Sequence, residues 1–271
     1  MSIHPAAKRH LLRKLLVFVV LVVIVAALVW WRDDQSAKKP QIITSTPSKS
    51  VSTTPASFDK SQHSINDPAS IWVVVDKGRI LPSNYTPVNL VVPKVALSEG
   101  SASENMHLRS EAAGAVEKLV AAAANDSQKL ILVSGYRSFV TQQAVYSGYV
   151  SSQGQAYADA TSARAGHSEH QSGLAADLGA QSGQCQLEAC FGDMTEGKWL
   201  ATNAHKYGFI IRYQKDKANL TGYAYEPWHI RFVGVDLAAG LNKTAQTMEQ
   251  FFGLTNYADY PTQTYQLKSG V

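Results

Sequence analysis

An unbroken run of 17 apolar residues, Leu15 to Trp31 (LLVFVVLVVIVAALVWW), constrains this chain more than any other feature. At about 1.5 Å per residue a helix of that length reaches roughly 25 Å, near the lower limit for crossing a bilayer. Lys8, Arg9, Arg13 and Lys14 precede it, and Arg32, Asp33 and Asp34 follow. The excess of positive charge before the run places residues 1–14 in the cytoplasm and the rest of the chain outside. Trp30 and Trp31 suit the outer interface. A cleaved signal peptide is the alternative, but its apolar core is usually about 7–15 residues and ends at a small-x-small site. The run here is longer and ends in two tryptophans. We therefore expect residues 15–31 to be a single transmembrane anchor in the cell membrane; on either reading the domain beyond it is exported.

Residues 32–70 are rich in Ser, Thr, Pro and Lys and hold too few large apolar side chains to build a core. They read as a flexible extracellular linker. The chain carries a net charge of +4, yet residues 1–70 hold nine Lys/Arg against four Asp/Glu. The remainder is close to neutral, which argues against nucleic acid as a partner.

From residue 71 the pattern is mixed. IWVVVDKGR (71–79), LILVSG (130–135), the stretch 173–178, Phe209 to Tyr213 and Trp228 to Val233 read as strands. Leu108, Ala112, Val116, Leu119, Val120 and Ala123 recur at helical spacing. Ser138 can cap a helix running to about Gly154, and Thr195 to Tyr207 reads as a helix closed by Gly208. Two further helical stretches follow Gly234. This predicts an α+β domain over 71–253, with helices packed on a small, mainly antiparallel sheet, and a C-terminal tail over 254–271. Cys185 and Cys190 lie in a polar loop; outside the cell a local disulfide is the favoured reading. A zinc pair and two free thiols are the alternatives.

The chemistry sits in three short segments: SEHQSGLAAD (168–177), EPWH (226–229) and SGYRS (134–138). A catalytic zinc takes three protein ligands and keeps a position open for water. His170, Asp177 and His229 supply two imidazoles and a carboxylate. The ion lowers the pKa of its water to about 7, and a base must then take the proton. Glu226, three residues before His229, places a carboxylate beside the metal without requiring it to ligate. Arg137 can hold a carbonyl oxygen as it gains charge. Each residue alone has an ordinary structural reading, as a loop hydrogen-bonder, a surface acid or a salt-bridge partner. Together they supply every part of one mechanism. No H-E-x-x-H, G-x-S-x-G or Walker loop competes with it. The S-x-x-K at Ser57–Lys60 lies in the linker and has no S-D-N or K-T-G partner.

S-x-H-x-x-G-x-A-x-D, read at Ser168, His170, Gly173, Ala175 and Asp177, together with E-P-W-H, resembles the VanY-type zinc D-alanyl-D-alanine carboxypeptidases. The resemblance extends from Val73 to Gly253 and takes in LPSNY (81–85), KYGFIIRY (206–213) and YEPWHIRFVG (225–234). It implies Zn2+ held by His170, Asp177 and His229. It implies Glu226 as general base and later acid, and Arg137 as the group that stabilises the transition state and helps bind substrate. It implies a peptidoglycan stem peptide losing its C-terminal D-alanine, and it places Tyr136, Gln142, Ser168 and Trp228 at pocket-forming positions. An L,D-carboxypeptidase acting on tetrapeptide stems, a lytic endopeptidase and a non-catalytic wall-binding module are the alternatives. His167 and His205 are expected to be structural, and Arg212 and Tyr213 to serve packing.

Overall fold

Four strands whose faces differ in polarity position everything else. The computed structural model describes residues 58–270, so the expected anchor at 15–31 lies outside the described residues. Among the described residues no helix is long and apolar enough to cross a membrane. In chain order the elements are β1 (Arg79–Ile80), β2 (Leu90–Val91), β3 (Leu108–Arg109), α1 (Ser110–Asn125), β4 (Leu130–Ser134), α2 (Phe139–Gln153), α3 (Gln155–Thr161), β5 (Ala175–Ala180), α4 (Thr195–Asn203), β6 (Phe209–Tyr213), α5 (Ala218–Thr221), β7 (Glu226–Phe232), α6 (Val235–Thr244), α7 (Met248–Phe252) and β8 (Tyr265–Gln266). The central sheet runs β4-β5-β7-β6, antiparallel throughout, in an α+β fold.

Along β5, Ala176, Leu178 and Ala180 join the core, as does Ile230 on β7, and α1 buries Ala112, Val116, Leu119 and Ala123 in the same cluster. Side chains alternate across a strand, so Asp177 and His229 face the other way. Two register shifts fall at this end of the sheet, between Leu132 and Ser134 in β4 and between Ile211 and Tyr213 in β6. Such bulges break the alternation and re-aim a side chain. Ser134 thereby leaves the core side held by Leu132, and Tyr213 leaves that of Ile211; the Tyr213 ring sits 4.9 Å from His229.

The helix signals hold locally. The Ser138 hydroxyl accepts from the Thr141 N–H at the start of α2. Thr195–Asn203 continues as a 3-10 turn over Ala204–Tyr207, and Gly208 closes it at φ 84°. Cys185 and Cys190 form a disulfide.

Three sequence expectations are corrected. The stretch 71–79 is not a strand; only its end enters β1, which pairs with β8. Val73, Val74 and Val75 are fully buried, as a strand would bury them. Their carbonyls, however, accept from arginine side chains: Ile71 and Val73 from Arg231, and Val74 from Arg79. Residues 58–70 belong to the folded domain rather than to a linker, since Phe58 stacks on Trp72 at 5.5 Å and packs edge-on against Phe251. Residues 254–270 are not a free tail, because β8 pairs with β1 and Leu267 is fully buried in the core.

Next to β1, burial and then the negative Glu249 push the Asp76 carboxyl up to about 7 from 3.8, against a hydrogen bond from the Gly78 N–H. Its Oδ2 is buried with no hydrogen-bond partner. The folded chain therefore holds this proton where the unfolded chain releases it. The resulting stability is fully present below the unfolded value and is lost as the pH rises through about 7. Asp76→Asn keeps an oxygen for Gly78 and cannot ionise. Denaturant unfolding at pH 5.5 and 8.5 should show the native chain losing about 2 kcal/mol relative to the variant. Parallel pH profiles would contradict this.

Candidate metal centre

Asp177 and His229 are direct register partners across β5 and β7, which fixes their side chains side by side on the polar face. Asp177 Oδ1 lies 3.1 Å from His229 Nδ1. His170 arrives from a 3-10 turn, Glu169–Ser172, closed by Gly173 at φ 68°. A Cβ at Gly173 would meet Arg109 Cγ at 3.0 Å, so only glycine lets this turn pack so close. His170 Nε2 lies 3.2 Å from Asp177 Oδ2, and the two imidazoles stand nearly perpendicular with centroids 5.0 Å apart.

Both rings have their outer nitrogen committed. His170 Nδ1 donates to the Gly135 carbonyl at 2.5 Å, which leaves Nε2 as a lone pair facing Asp177. His229 Nε2 faces the Glu169 carboxylate at 3.4 Å, which leaves Nδ1 facing inward. Holding the far ring nitrogen in this way sets the tautomer of a metal-binding histidine. One ligand atom from each of His170, Asp177 and His229 lies within 4.8 Å of the other two, and all three residues are buried. Asp177 Oδ1 is buried yet has no hydrogen-bond partner. Asp177 turns one oxygen to each imidazole, Oδ1 to His229 Nδ1 and Oδ2 to His170 Nε2, and two imidazoles with a carboxylate are a donor set a zinc ion takes.

Sequence reasoning missed the brace behind this trio. Glu169 is fully buried, and its Oε1 accepts from Arg212 Nε at 2.8 Å and from Arg231 Nη1 at 2.7 Å. Arg212 in turn pairs with Glu249 on α7, with Nη1 3.1 Å from Oε2. The signal was present in the strands: Arg212 follows two isoleucines in β6 and Arg231 stands between Ile230 and Phe232 in β7, and a buried guanidinium demands a buried carboxylate. Burial alone would raise the Glu169 carboxyl; Arg212 and then Arg231 overcome it and hold the group well below the carboxylate range. Asp177 is likewise held well below that range, burial being outweighed by His170 and His229. Burial lowers His170. With no ion bound, burial at His229 is outweighed by the Asp177 and Glu169 carboxylates, which raise its pKa, so a proton on Nδ1 stands where an ion would bind. The cluster thus draws positive charge to the point between its ligand atoms.

Glu226 opens β7, its Oε2 3.7 Å from His229 Nδ1 and its side chain 13% exposed. It is close to the trio without being held by it. Burial pushes its carboxyl up to about 8, against the pull of His229. Arg137 follows β4, and Gln142 Oε1 and Ser134 Oγ each accept from its guanidinium at 2.9 Å. Both partners are neutral, so the full charge remains for an anion.

These groups line a cavity of about 430 Å³. Ser168 and Trp228 line it too, as do Tyr213, Tyr223 and the disulfide-loop residues Leu187, Glu188 and Ala189, none of which the sequence marked for a pocket role. Gln142 lines the cavity, but its amide is engaged by Arg137 and by the Ala163 carbonyl, 2.7 Å from Nε2. Tyr136 does not line it; the residue is 6% exposed and its hydroxyl bonds with Thr86. His167 also turns away, its Nδ1 donating to the Asp76 carbonyl at 2.8 Å.

Residues 105–235 match the family described as VanY: D-alanyl-D-alanine carboxypeptidase. The putative carboxypeptidase YodJ of Bacillus subtilis (strain 168) is 41% identical over 188 residues, which span 69% of this chain and 69% of that protein. VanXYC of Enterococcus gallinarum, a bifunctional D-Ala-D-Ala dipeptidase and D-Ala-D-Ala carboxypeptidase, is 32% identical over 70% of this chain and 95% of its own length. Among solved structures, the LdcB LD-carboxypeptidase matches with a TM-score of 0.66 and 40% identity, covering 70% of this chain and 89% of that one. A mutant of the vancomycin resistance D,D-pentapeptidase VanY, in complex with Zn(II), matches with a TM-score of 0.53 and 30% identity over 66% of this chain and 97% of its own.

The Glu169 brace makes a prediction of its own. Glu169→Gln should weaken zinc binding by about 10- to 100-fold in a competition titration, because His229 loses the anion that orients it. It should also cost about 3–5 kcal/mol of stability, because a buried guanidinium loses its partner. Unchanged zinc affinity would show that the brace does not position the ligand.

Proposed function

The chain belongs to the VanY family of D-alanyl-D-alanine carboxypeptidases, and on that premise we propose that it is a zinc-dependent D,D-carboxypeptidase. Its substrate would be the peptidoglycan stem peptide, from which it removes the C-terminal D-alanine. One observation carries the reading: three buried ligand atoms converge with the Glu226 carboxylate beside them, 3.7 Å from His229 Nδ1. A wall-binding module would have no use for that combination. The N-terminal apolar run supports an anchor in the cell membrane that holds the domain outside, where the substrate lies.

His170 Nε2, His229 Nδ1 and the Asp177 carboxylate would hold the ion. When bound, zinc supplies a Lewis acid that makes water acidic enough to react near neutral pH. Glu226 accepts the proton of the attacking water at its carboxylate and passes it to the leaving amine. Burial raises this carboxyl in the metal-free site, and the charge of a bound ion would lower it again, so that it could take the proton as a carboxylate and return it as an acid. Arg137 binds the anionic end of the peptide and the oxygen on which charge develops, its fork kept in place by Gln142 and Ser134. Trp228 and Ser168 shape the pocket wall. Burial of the trio excludes bulk water, which strengthens each of these interactions.

A second reading, L,D-carboxypeptidase activity on tetrapeptide stems, draws support from the 40% identity to the LdcB LD-carboxypeptidase. The ion and the proton carrier would serve either bond, so D-alanine release from penta- and tetrapeptides separates the two.

Glu226→Ala should retain zinc and the native melting profile yet lose at least about 100-fold in kcat/KM. Chelation should inactivate the native chain, and β-lactams, which acylate serine, should not. A fully active Glu226→Ala protein, or activity that survives exhaustive metal removal, would overturn the mechanism.

A further inference from the structure

The loop closed by Cys185–Cys190 forms one wall of the cavity, through Leu187, Glu188 and Ala189. Four carboxylates line this cavity. Glu169 is neutralised by Arg212 and Arg231, and Asp177 and Glu226 belong to the metal centre. Glu188 alone among them has no cationic partner within the described residues. The polar contact its side chain makes is with Cys190 Sγ at 3.5 Å, and a disulfide sulfur has no hydrogen to donate.

Hydrogen bonds hold the Glu188 backbone in place. The Glu188 N–H donates to the Cys185 carbonyl at 3.2 Å, and the Glu188 carbonyl accepts from the N–H of fully buried Phe191 at 3.0 Å. Cys185 and Leu187 both occupy the left-handed region, at φ 53° and 56°, which side chains other than glycine rarely adopt. A six-residue loop closed by a disulfide, with two strained residues and an anchored neighbour, fixes the backbone at Glu188 beside the cavity, while its side chain is exposed and free to turn toward a bound peptide. Arg137 is the only lysine or arginine lining the same cavity among the described residues. The chemistry that matches is an amphoteric peptide, with an anionic terminus for Arg137 and a cation for Glu188.

We propose that Glu188 is a specificity-determining residue that reads a positively charged side chain, a primary ammonium such as a diamino acid carries, one or two residues before the D-alanine that leaves. This rests on the carboxypeptidase reading and deepens it. The interaction is partly solvated, so it biases selection rather than deciding it.

The test uses the zinc-supplemented full-length chain and matched peptides. Nα-acetyl-L-lysine and Nα-acetyl-L-norleucine are each followed by one or by two D-alanines, so that either carboxypeptidase specificity is covered. For the peptide length that is cleaved, the native chain should prefer lysine over norleucine by about three-fold in kcat/KM. Glu188→Gln should bring that ratio to about one, and Glu188→Lys should take it below one. A ratio that is the same in the native chain and in Glu188→Gln overturns the assignment while leaving the carboxypeptidase reading intact. Failure of the native chain to cleave any of the four peptides overturns both.

Discussion

The structure depends on a pair of strand partners, Asp177 and His229, locked opposite each other across β5 and β7. Backbone hydrogen bonding between two central strands fixes their separation before any metal is considered. A one-residue slip would turn both into the apolar core and bring Ala176 and Ile230 out. The core under α1 therefore specifies the site indirectly, because the same alternation that buries Leu178 and Ile230 exposes the donors on the other face. His170 is added by a glycine-closed turn, and Glu169 beside it ties that turn to β6, β7 and α7 through Arg212, Arg231 and Glu249. Four buried charges with alternating sign are costly to desolvate, and they persist because each has a partner. Their effect at the site is to fix which nitrogen of His229 faces inward.

The two bulges explain how a small sheet presents more than two functional groups at one end. Strict alternation in β4 and β6 would have kept Ser134 and Tyr213 with the core. The register shifts turn Ser134 toward the Arg137 guanidinium and Tyr213 toward the His229 ring. Glu226 lies at the first position of β7, where the strand has just left a loop. Its carboxylate stands 3.7 Å from His229 Nδ1, beside the trio and outside hydrogen-bonding distance of it.

Much of this was legible in the sequence because catalytic chemistry restricts residue type sharply. Few residues can bind zinc, so His170, Asp177 and His229 stood out, and the spacing in E-P-W-H pointed to Glu226. The sheet strands were legible from short apolar runs bounded by glycine and polar residues. The stretch 71–79 misled because burial and strand pairing usually coincide; here Arg231 and Arg79 satisfy carbonyls that a neighbouring strand would have taken. Residues 58–70 and 254–270 were misread because their polar composition concealed a few anchors, Phe58 and Leu267 above all. The Glu169 brace was illegible as a brace because pairing between residues 43 and 62 positions apart leaves no local pattern. Tyr136 shows the converse limit: its place in SGYRS suggested the pocket, and its side chain is buried with its hydroxyl on Thr86 instead.

The central claim is that one ion sits among His170, Asp177 and His229 with Glu226 free beside it. Anomalous diffraction at the zinc edge, on crystals of the protein grown with zinc, tests it most directly. The account predicts a single strong peak about 2.0–2.2 Å from His170 Nε2, His229 Nδ1 and an Asp177 oxygen, with the Glu226 carboxylate outside bonding distance. A peak elsewhere, or one ligated by Glu226 in place of either histidine, would contradict it.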